Sequence, residues 1–270
     1  MKVIISHDID HITAFEHMHD LILPKFFMRS SLETLLGTIS WNEYNHRFQI
    51  FLKNKWHNLE ELMAFDKTHS IPSTFFVGVA HGRGLRYSLQ DAAFWIDRIL
   101  REGFEAGVHG IVDDNYELLA DEHKRFKDIT GLAQFGIRMH YLKTCHETMG
   151  FLDKAGYMFD TSLFTFSAPF KAGNLWEFPL HIMDGYIMCN KRRWQNQTLC
   201  QAKDNTKIIL DGLNKIKLKY ITILFHDCYF SDSFSTWKEW YVWVVDYLKI
   251  NKVVFISYAD AVRELNSNDE

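Results

Sequence analysis

Short, nearly continuous runs of apolar residues alternate along the chain with longer stretches in which apolar residues recur at helical spacing. A brief apolar run is typical of a strand that is buried on both faces, as in parallel sheets. Because parallel strands need helical crossovers, the alternation predicts an α/β fold with a parallel sheet, either open or closed into a barrel. The predicted strands are Val3–Ser6, Thr74–Val79, Glu105–His109, Phe135–Ile137, Ile221–Phe225 and Val253–Ser257.

Three of the longer stretches have recognisable helix ends. Ser88 is a typical N-cap, and the apolar positions after it recur at helical spacing until Gly103. Two further helices are predicted over Tyr116–Ile129 and Tyr141–Lys154, each followed closely by a glycine.

The stretch from Thr13 to His69 interrupts the alternation. It is long, rich in aromatic residues and without any run typical of a strand. We therefore expect a helical insertion after the first strand, within a single domain of residues 1–270. An insertion at this position can cover the carboxyl end of the sheet.

The charge balance narrows the classes of partner. The 270 residues include 30 Lys and Arg against 34 Asp and Glu, which gives a formal net charge of −4. Such a chain lacks the basic surface that binds nucleic acid independently of sequence. It also has no uninterrupted apolar stretch of about 18 residues, so no transmembrane segment is expected. The sequence does not indicate the oligomeric state.

The N-terminal residues and the cysteine pattern indicate the cellular compartment in which the protein is expected to function. Charged residues arrive before the apolar segment of a signal peptide could form. The four cysteines form no C-x-x-C pair and no framework of short spacings, which favours reduced thiols. We therefore expect a cytoplasmic protein.

Titratable residues follow four of the six predicted strands. Because the carboxyl ends of parallel strands meet at one edge of the sheet, these residues are expected to form one site. Taken singly, each has a simpler explanation as a helix cap, a hydrogen-bonded structural histidine, a turn or a surface ion pair. The four segments are His7-Asp8-Ile9-Asp10-His11, His109-Gly110, Arg138-Met139-His140 and His226-Asp227.

The spacing within these segments indicates a chemistry. Asp8 and Asp10 are two residues apart, so on an extended segment both carboxylates project to one face. They repel each other unless a cation or an arginine lies between them. Arg138 and His140 share a face for the same reason. Metal-assisted hydrolysis needs few groups: one carboxylate that binds the metal, one that acts as the base, an arginine that keeps this base ionised, and a histidine on the opposite side.

In this order, the residues resemble the motifs of the polysaccharide deacetylase (NodB-homology) family, whose fold is a distorted (β/α) barrel. The match runs from Val3 to about Tyr258. The segments that resemble the five family motifs are Ser6–His11, in a D-x-D form, Glu105–Gly110, Arg138–Tyr141, Ala155–Ser162 and Ile223–Asp227.

The resemblance implies a role for each matching residue. Asp8 would be the general base, and Arg138 would position it. Asp10 and His109 would bind a divalent metal ion, which we expect to be Zn²⁺. His226 would be the general acid, and Asp227 or Asp160 is expected to orient it. Trp176 could stack against a sugar ring or belong to the core.

The chain departs from the family pattern at the third metal ligand. The family's second motif normally supplies another histidine, where this chain has Val112, Asp113 and Asp114. The third motif normally has a proline where this chain has His140. We predict that His140 replaces the missing ligand. Asp113 is the alternative, because carboxylate oxygen also binds Zn²⁺. In a third case the metal site is degenerate and the protein is inactive.

The resemblance therefore implies a metal-dependent hydrolase that removes an acetyl group, N-linked, from a sugar or glycan precursor in surface polysaccharide biosynthesis. One alternative is a catalytically inactive carbohydrate-binding or scaffold protein that keeps the barrel. Another is an amide hydrolase that acts on a substrate other than a sugar.

Overall fold

A largely parallel sheet forms the centre of the computed structural model, which describes residues 1–82 and 84–267. Its described strands are β1 (Lys2–Ile9), β2 (Thr74–Val77), β3 (Glu105–Gly110), β4 (Ile137–Met139), β5 (Phe159–Asp160), β6 (Phe170–Ala172), β7 (Leu175–Glu177), β8 (Ile182–Met183), β9 (Tyr220–Leu224) and β10 (Val254–Phe255). The strand order is β6-β7-β5-β4-β3-β2-β1-β9-β8, with β10 beside β1. Only β6 and β7 pair antiparallel among these strands.

Helices connect the strands, as parallel pairing requires. The predicted caps are present: the Ser88 side chain accepts a hydrogen bond from Asp91 N, and Gly131 ends its helix in the left-handed conformation. The helices are α1 (Ile22–Leu35), α2 (Trp41–Lys53), α3 (Leu59–Thr68), α4 (Leu89–Arg101), α5 (Tyr116–Thr130), α6 (Thr148–Ala155), α7 (Asp184–Cys189), α8 (Leu199–Lys215), α9 (Ser235–Ile250) and α10 (Tyr258–Asn266).

Strand β1 is the centre of the sheet. It pairs with β9 along one side, and with β10 and then β2 along the other. Alternate residues of β1 pack against two different apolar clusters, so both faces are buried. Ile4 lies on the inner face with Phe76, Phe159 and Tyr258, which places Asp8, four residues further along, on that same face.

The sheet curls because a short segment connects its two sides. Phe178 N donates to Asp160 O at 2.9 Å, and Leu180 N donates to Leu163 O at 2.7 Å. The next residue, His181, donates from its backbone N to Thr222 O on β9. Residues 178–182 thus pass from the β5 side to β9. The prediction of a distorted α/β barrel is confirmed.

The predicted strands are found, with two shifts that affect the site. Strand β1 extends to Ile9, so Asp8 lies within the strand and not after it. Strand β4 covers Ile137–Met139 and not Phe135–Ile137, so Arg138 also lies within a strand. The pattern did not predict β5 to β8, because strands of two or three residues are too short to produce an apolar run.

The predicted helix over Tyr141–Lys154 is wrong in its first half, since α6 begins at Thr148. Tyr141 and Leu142 have φ angles of 60° and 52°. Residues with a Cβ rarely adopt this left-handed conformation, and a right-handed helix cannot run through it. The chain therefore turns directly after His140.

Residues 13–69 contain three α-helices, a 3₁₀ turn at Phe15–His17 and no strand. None of the helices within residues 1–82 and 84–267 combines the length and the apolar composition that a bilayer-spanning segment needs.

Candidate metal centre

Three side chains meet at the carboxyl edge of the sheet: Asp10, His109 and His140. Asp10 Oδ1 lies 3.1 Å from His109 Nε2 and 3.3 Å from His140 Nδ1. The two imidazole nitrogens lie 2.9 Å apart. All three residues were predicted as metal ligands, and the fold brings them together.

Neighbouring strands position the three donors. Asp10 directly follows β1, His109 lies in β3, and His140 directly follows β4. In the register of β3 and β4, His109 pairs with Arg138. His140 comes two residues after Arg138, so it lies on the same face and one step beyond His109.

The donor geometry fits a tetrahedral metal site. Ligands at about 2.0–2.2 Å from a tetrahedral zinc ion lie about 3.3–3.6 Å from one another, and the three separations here are slightly shorter, at 2.9, 3.1 and 3.3 Å. His109 Nδ1 lies 3.0 Å from the Arg138 carbonyl oxygen, to which it can donate only as N–H. That hydrogen bond leaves Nε2 with its lone pair directed at Asp10 and His140. Three protein ligands are also the number in catalytic zinc sites, which keep a position for water or substrate.

Asp10 is ionised in this arrangement. Burial opposes its charge, but His140 and His109 beside it hold the pKa of the Asp10 carboxyl well below its usual value. A carboxylate and two imidazoles therefore form the donor set.

Asp113, the alternative third ligand, lies elsewhere. Its carboxylate is buried, and Oδ1 is 3.3 Å from Lys143 Nζ. Of the two alternatives, the fold brings His140 to Asp10 and His109.

Asp8 forms a buried ion pair with Arg138 beside this cluster. Asp8 Oδ1 accepts from Arg138 Nη1 at 2.9 Å, and Asp8 Oδ2 lies 3.9 Å from His109 Nε2. Burial alone would raise the pKa of Asp8, but the charges of Arg138, His109 and His226 together outweigh it, and the pKa lies below its usual value. Asp8 is therefore a carboxylate at neutral pH.

Arg138 is held on several sides. Its Nε donates to Thr161 O at 3.2 Å, and its Nη2 lies 3.2 Å from Thr161 Oγ1 and 3.1 Å from the Tyr258 hydroxyl. The guanidinium also lies 4.5 Å from the centre of the Phe76 ring. These contacts fix the guanidinium that pairs with Asp8.

His226 forms the opposite wall of the site. Its Nε2 lies 3.7 Å from Asp10 Oδ2, and its Nδ1 lies 2.9 Å from Asp184 Oδ1. Asp184 Oδ2 also accepts from His226 backbone N at 2.7 Å. Burial opposes a charge on the ring, but Asp184, with Asp10 and Asp8, outweighs it and raises the pKa of His226 to about 10. His226 is therefore an imidazolium at neutral pH.

The expectation that Asp227 or Asp160 orients His226 is wrong, because Asp184 occupies that place. Asp227 Oδ2 accepts from Asn58 N at 3.2 Å, and Asp160 Oδ1 accepts from Thr161 N at 2.8 Å. Both aspartates therefore accept hydrogen bonds from backbone N–H groups around the site and form no hydrogen bond with the His226 ring.

Sequence reasoning missed Asp184, Thr161 and Tyr258. Asp184 follows β8, and the two residues of this strand are too few to produce a recognisable pattern. The sequence feature that could have indicated Asp184 is an Asp-Gly pair directly after a short apolar segment. Of the two expectations for Trp176, the core position holds: it is buried on β7, and its indole N–H donates to Asn266 at 2.9 Å.

The chain matches no family model and no curated protein. Its fold, however, is shared with solved structures. One from Mycobacterium smegmatis, named as a polysaccharide deacetylase, aligns over 99% of this chain and 91% of its own, with 15% identity and a TM-score of 0.66. Puue allantoinase aligns over 98% and 89%, with 11% identity and a TM-score of 0.63.

A third structure, from Pseudomonas aeruginosa PAO1, is also named as a polysaccharide deacetylase. It aligns over 97% of this chain and 89% of its own, with 12% identity and a TM-score of 0.62. Likeness at such low identity defines a fold and not a reaction. The chain has the fold of the polysaccharide deacetylases, as its ordered motifs predict.

Proposed function

We propose that this chain is a metal-dependent hydrolase that removes the acetyl group from an N-acetylated sugar or glycan precursor. One observation supports the proposal. Asp8, ion-paired with Arg138, and His226, hydrogen-bonded to Asp184, lie beside three side chains that could bind a metal ion. A base and an acid on two sides of a metal site are what the hydrolysis of an unactivated amide needs.

Asp10, His109 and His140 would hold the metal ion, and their donor set suits Zn²⁺. When bound, a divalent cation supplies Lewis-acid polarisation of the acetyl carbonyl oxygen.

Side chains of the protein carry out the two proton transfers of the reaction. Asp8 accepts a proton from the attacking water, whose oxygen forms the new bond to the acetyl carbon. Arg138 holds Asp8 in its ionised form until that step. His226 donates its proton to the departing nitrogen as the C–N bond breaks, and Asp184 keeps the ring protonated and oriented. The products are acetate and a free amine.

The names of two structural neighbours support this reaction class, since both are called polysaccharide deacetylases. The allantoinase neighbour favours testing a second class of substrate, namely amides that are not part of a sugar.

Release of acetate tests the proposal. The zinc-loaded protein is incubated with N-acetylglucosamine, its oligomers and other N-acetylated sugars, and with allantoin as the non-sugar amide. We expect acetate from at least one N-acetylated sugar, its loss after chelation, its return with Zn²⁺, and no release by Asp10→Ala. Activity that survives metal removal contradicts the mechanism. Turnover of allantoin alone contradicts the sugar substrate.

The third ligand is tested by metal content. His140→Ala is expected to lose the ion that Asp10 binds, and Asp113→Ala is expected to keep it, because Asp113 pairs with Lys143. Each variant is compared with the Asp10→Ala variant, and the difference in zinc bound per chain is measured after equilibration in a zinc buffer. A reversed result assigns the ligand to Asp113.

A further inference from the structure

A second group of possible metal donors lies outside the site described above. Among the described residues, His11, Glu16 and His17 also direct one donor atom each toward a common point. His17 Nε2 lies 2.8 Å from His11 Nδ1 and 3.1 Å from Glu16 Oε1, and His11 Nδ1 lies 4.0 Å from Glu16 Oε1. These separations bracket the spacing of about 3.3 Å between the ligands of a tetrahedral zinc ion.

The histidine at the centre of this group is oriented by a carboxylate. His17 Nδ1 lies 2.9 Å from Asp20 Oδ2 and donates its N–H to it. In metal sites, a carboxylate on the outer nitrogen of a ligating histidine fixes the ring and raises its basicity. Here it directs Nε2 toward His11 and Glu16.

The carboxylate of the group is equally constrained. Glu16 Oε2 accepts from the backbone N of Thr13 at 2.9 Å, and Thr13 Oγ1 accepts from Glu16 N at 3.3 Å, which is a capping box. The other oxygen, Oε1, faces His17 at 3.1 Å and also accepts from the backbone N of Ile12 at 3.2 Å, so the loop backbone fixes its position.

The environment also suits a bound cation. The Trp56 ring stacks on His11 at 4.4 Å and meets His17 edge-on at 5.5 Å, so an apolar wall limits the movement of both imidazoles. The side chain of His17 is fully buried, while that of His11 is 17% exposed. An ion would therefore reach the group past His11.

The His17 Nε2 hydrogen faces both His11 Nδ1 and Glu16 Oε1, and Glu16 Oε1 also accepts from Ile12 N. A cation in place of that shared hydrogen would be bound by all three donor atoms. Two histidines and a glutamate are also an established zinc donor set.

We propose that His11, Glu16 and His17 bind a second divalent cation of the zinc type. Its ligands come from seven consecutive residues, directly after Asp10, so it closes the loop that leads from β1 into the helical insertion. The inference is independent of the proposed function, because it predicts a number of bound ions and no reaction.

The number of ions per chain tests the proposal. The full chain is equilibrated in zinc-buffered solution, and its bound zinc is measured by mass spectrometry of the metal. We expect two ions in the wild type, one in Glu16→Gln, one in His11→Ala and one in Asp10→Ala. His19→Ala is the matched control: His19 is an exposed histidine in the same segment, and two ions are expected.

A second readout uses Co²⁺ in place of zinc. Loading the Asp10→Ala variant with Co²⁺ is expected to give visible absorption bands of a tetrahedral site, and Glu16→Gln in the same chain is expected to remove them. Circular dichroism shows whether each variant is folded. One ion in the wild type that is lost in Asp10→Ala and kept in Glu16→Gln overturns the proposal, whereas one ion that is kept in Asp10→Ala and lost in Glu16→Gln supports it and contradicts only the first site. A second ion that survives both Glu16→Gln and His11→Ala overturns the assignment of ligands.

Discussion

Two side chains of the candidate site owe their protonation states to the charges around them. Burial opposes the charge of Asp8, but Arg138, His109 and His226 together lower its pKa. Burial also opposes the charge of His226, but Asp184, Asp10 and Asp8 together raise its pKa. The acid and the base of the proposed reaction thus depend on residues that need not touch the substrate.

Replacing the base separates metal binding from turnover. In Asp8→Asn, Asp10, His109 and His140 remain, so we expect full zinc content. Acetate release is expected to fall by about 10²–10⁴-fold, the usual contribution of a general base. The control is Asp114→Asn, which changes an exposed carboxylate near β3 and should retain wild-type rates. Wild-type turnover in Asp8→Asn would exclude it as the base.

Replacing the partner of the acid shifts the pH profile. A histidine whose pKa is raised to about 10 is protonated below that pH, so the alkaline limb of kcat/KM is expected near it. In Asp184→Asn, burial acts on His226 with less opposition, and the pKa falls. We expect the alkaline limb to move to lower pH while zinc content is unchanged. An unmoved limb would show that His226 is not the titrating acid.

Sequence reasoning found the residues that adjoin predicted strands and missed those whose positions depend on the tertiary fold. Asp8, Asp10 and His109 follow clear apolar runs, and a spacing of two residues paired Arg138 with His140. Asp184 could not be found in the same way, because β8 contains two residues and its pairing with β9 is set by the fold and not by a local pattern. The same holds for the contact of Tyr258 with Arg138, 120 residues apart in the chain.

At the scale of elements, β4 does most to organise the site. Its three residues include Arg138, and its end delivers His140. Gly136, the residue before β4, packs directly against the ring of Phe159 on the next strand. The sequence predicts this strand, but not that the chain turns after His140, since left-handed residues at Tyr141 and Leu142 have no reliable signature when they are not glycine.

Two glycines offer a matched test of that packing. A methyl group at Gly136 would overlap the Phe159 ring, so Gly136→Ala is expected to destabilise the protein by about 1–3 kcal/mol. Gly150, within α6, has no atoms in the way, and Gly150→Ala is expected to stabilise it by about 0.4–1 kcal/mol. Urea unfolding midpoints measure both. Equal effects would contradict the close packing of β4 on β5.

At the scale of the whole molecule, a buried charge network attaches the helical insertion to the barrel. Arg47 of α2 pairs with Glu33 and Glu43, and its Nε donates to the carbonyl of Ser233 at 2.8 Å. Glu33 in turn accepts from the backbone N of Gln195 at 2.7 Å. The insertion is therefore joined to segments more than 150 residues away.

Replacing Arg47 should show how much this attachment contributes to the stability of the folded protein. Arg47→Ala leaves two buried glutamates without their shared cation, which typically costs about 3–5 kcal/mol of the free energy of unfolding. Arg101→Ala is the control, since its pair with Asp97 is largely exposed and its loss is expected to change stability by less than about 0.5 kcal/mol. Denaturant unfolding compares the two; a small effect of Arg47→Ala would mean that apolar contacts hold the insertion.

The alternation of strands and helices was sufficient to predict the α/β class, and the ordered motifs predicted the distorted barrel. Closure was not predictable, because it depends on single backbone hydrogen bonds from residues 178–182 to two separate strands. Such bonds leave no periodicity in the sequence. The attachment through Arg47 was not predicted for the same reason.

Strand β2 lies between β1 and β3 and supplies no ligand, although Asp10 and His109 on either side of it lie 3.1 Å apart. In a flat sheet, the backbones of next-but-one strands lie about 10 Å apart and their side chains run parallel. The curl tilts the two side chains toward each other over β2. If Asp10, His109 and His140 were grafted onto a flat sheet with the same strand order, their donor atoms would therefore lie too far apart to share a metal ion. A designed site of this kind must reproduce the curvature of the sheet as well as the three residues.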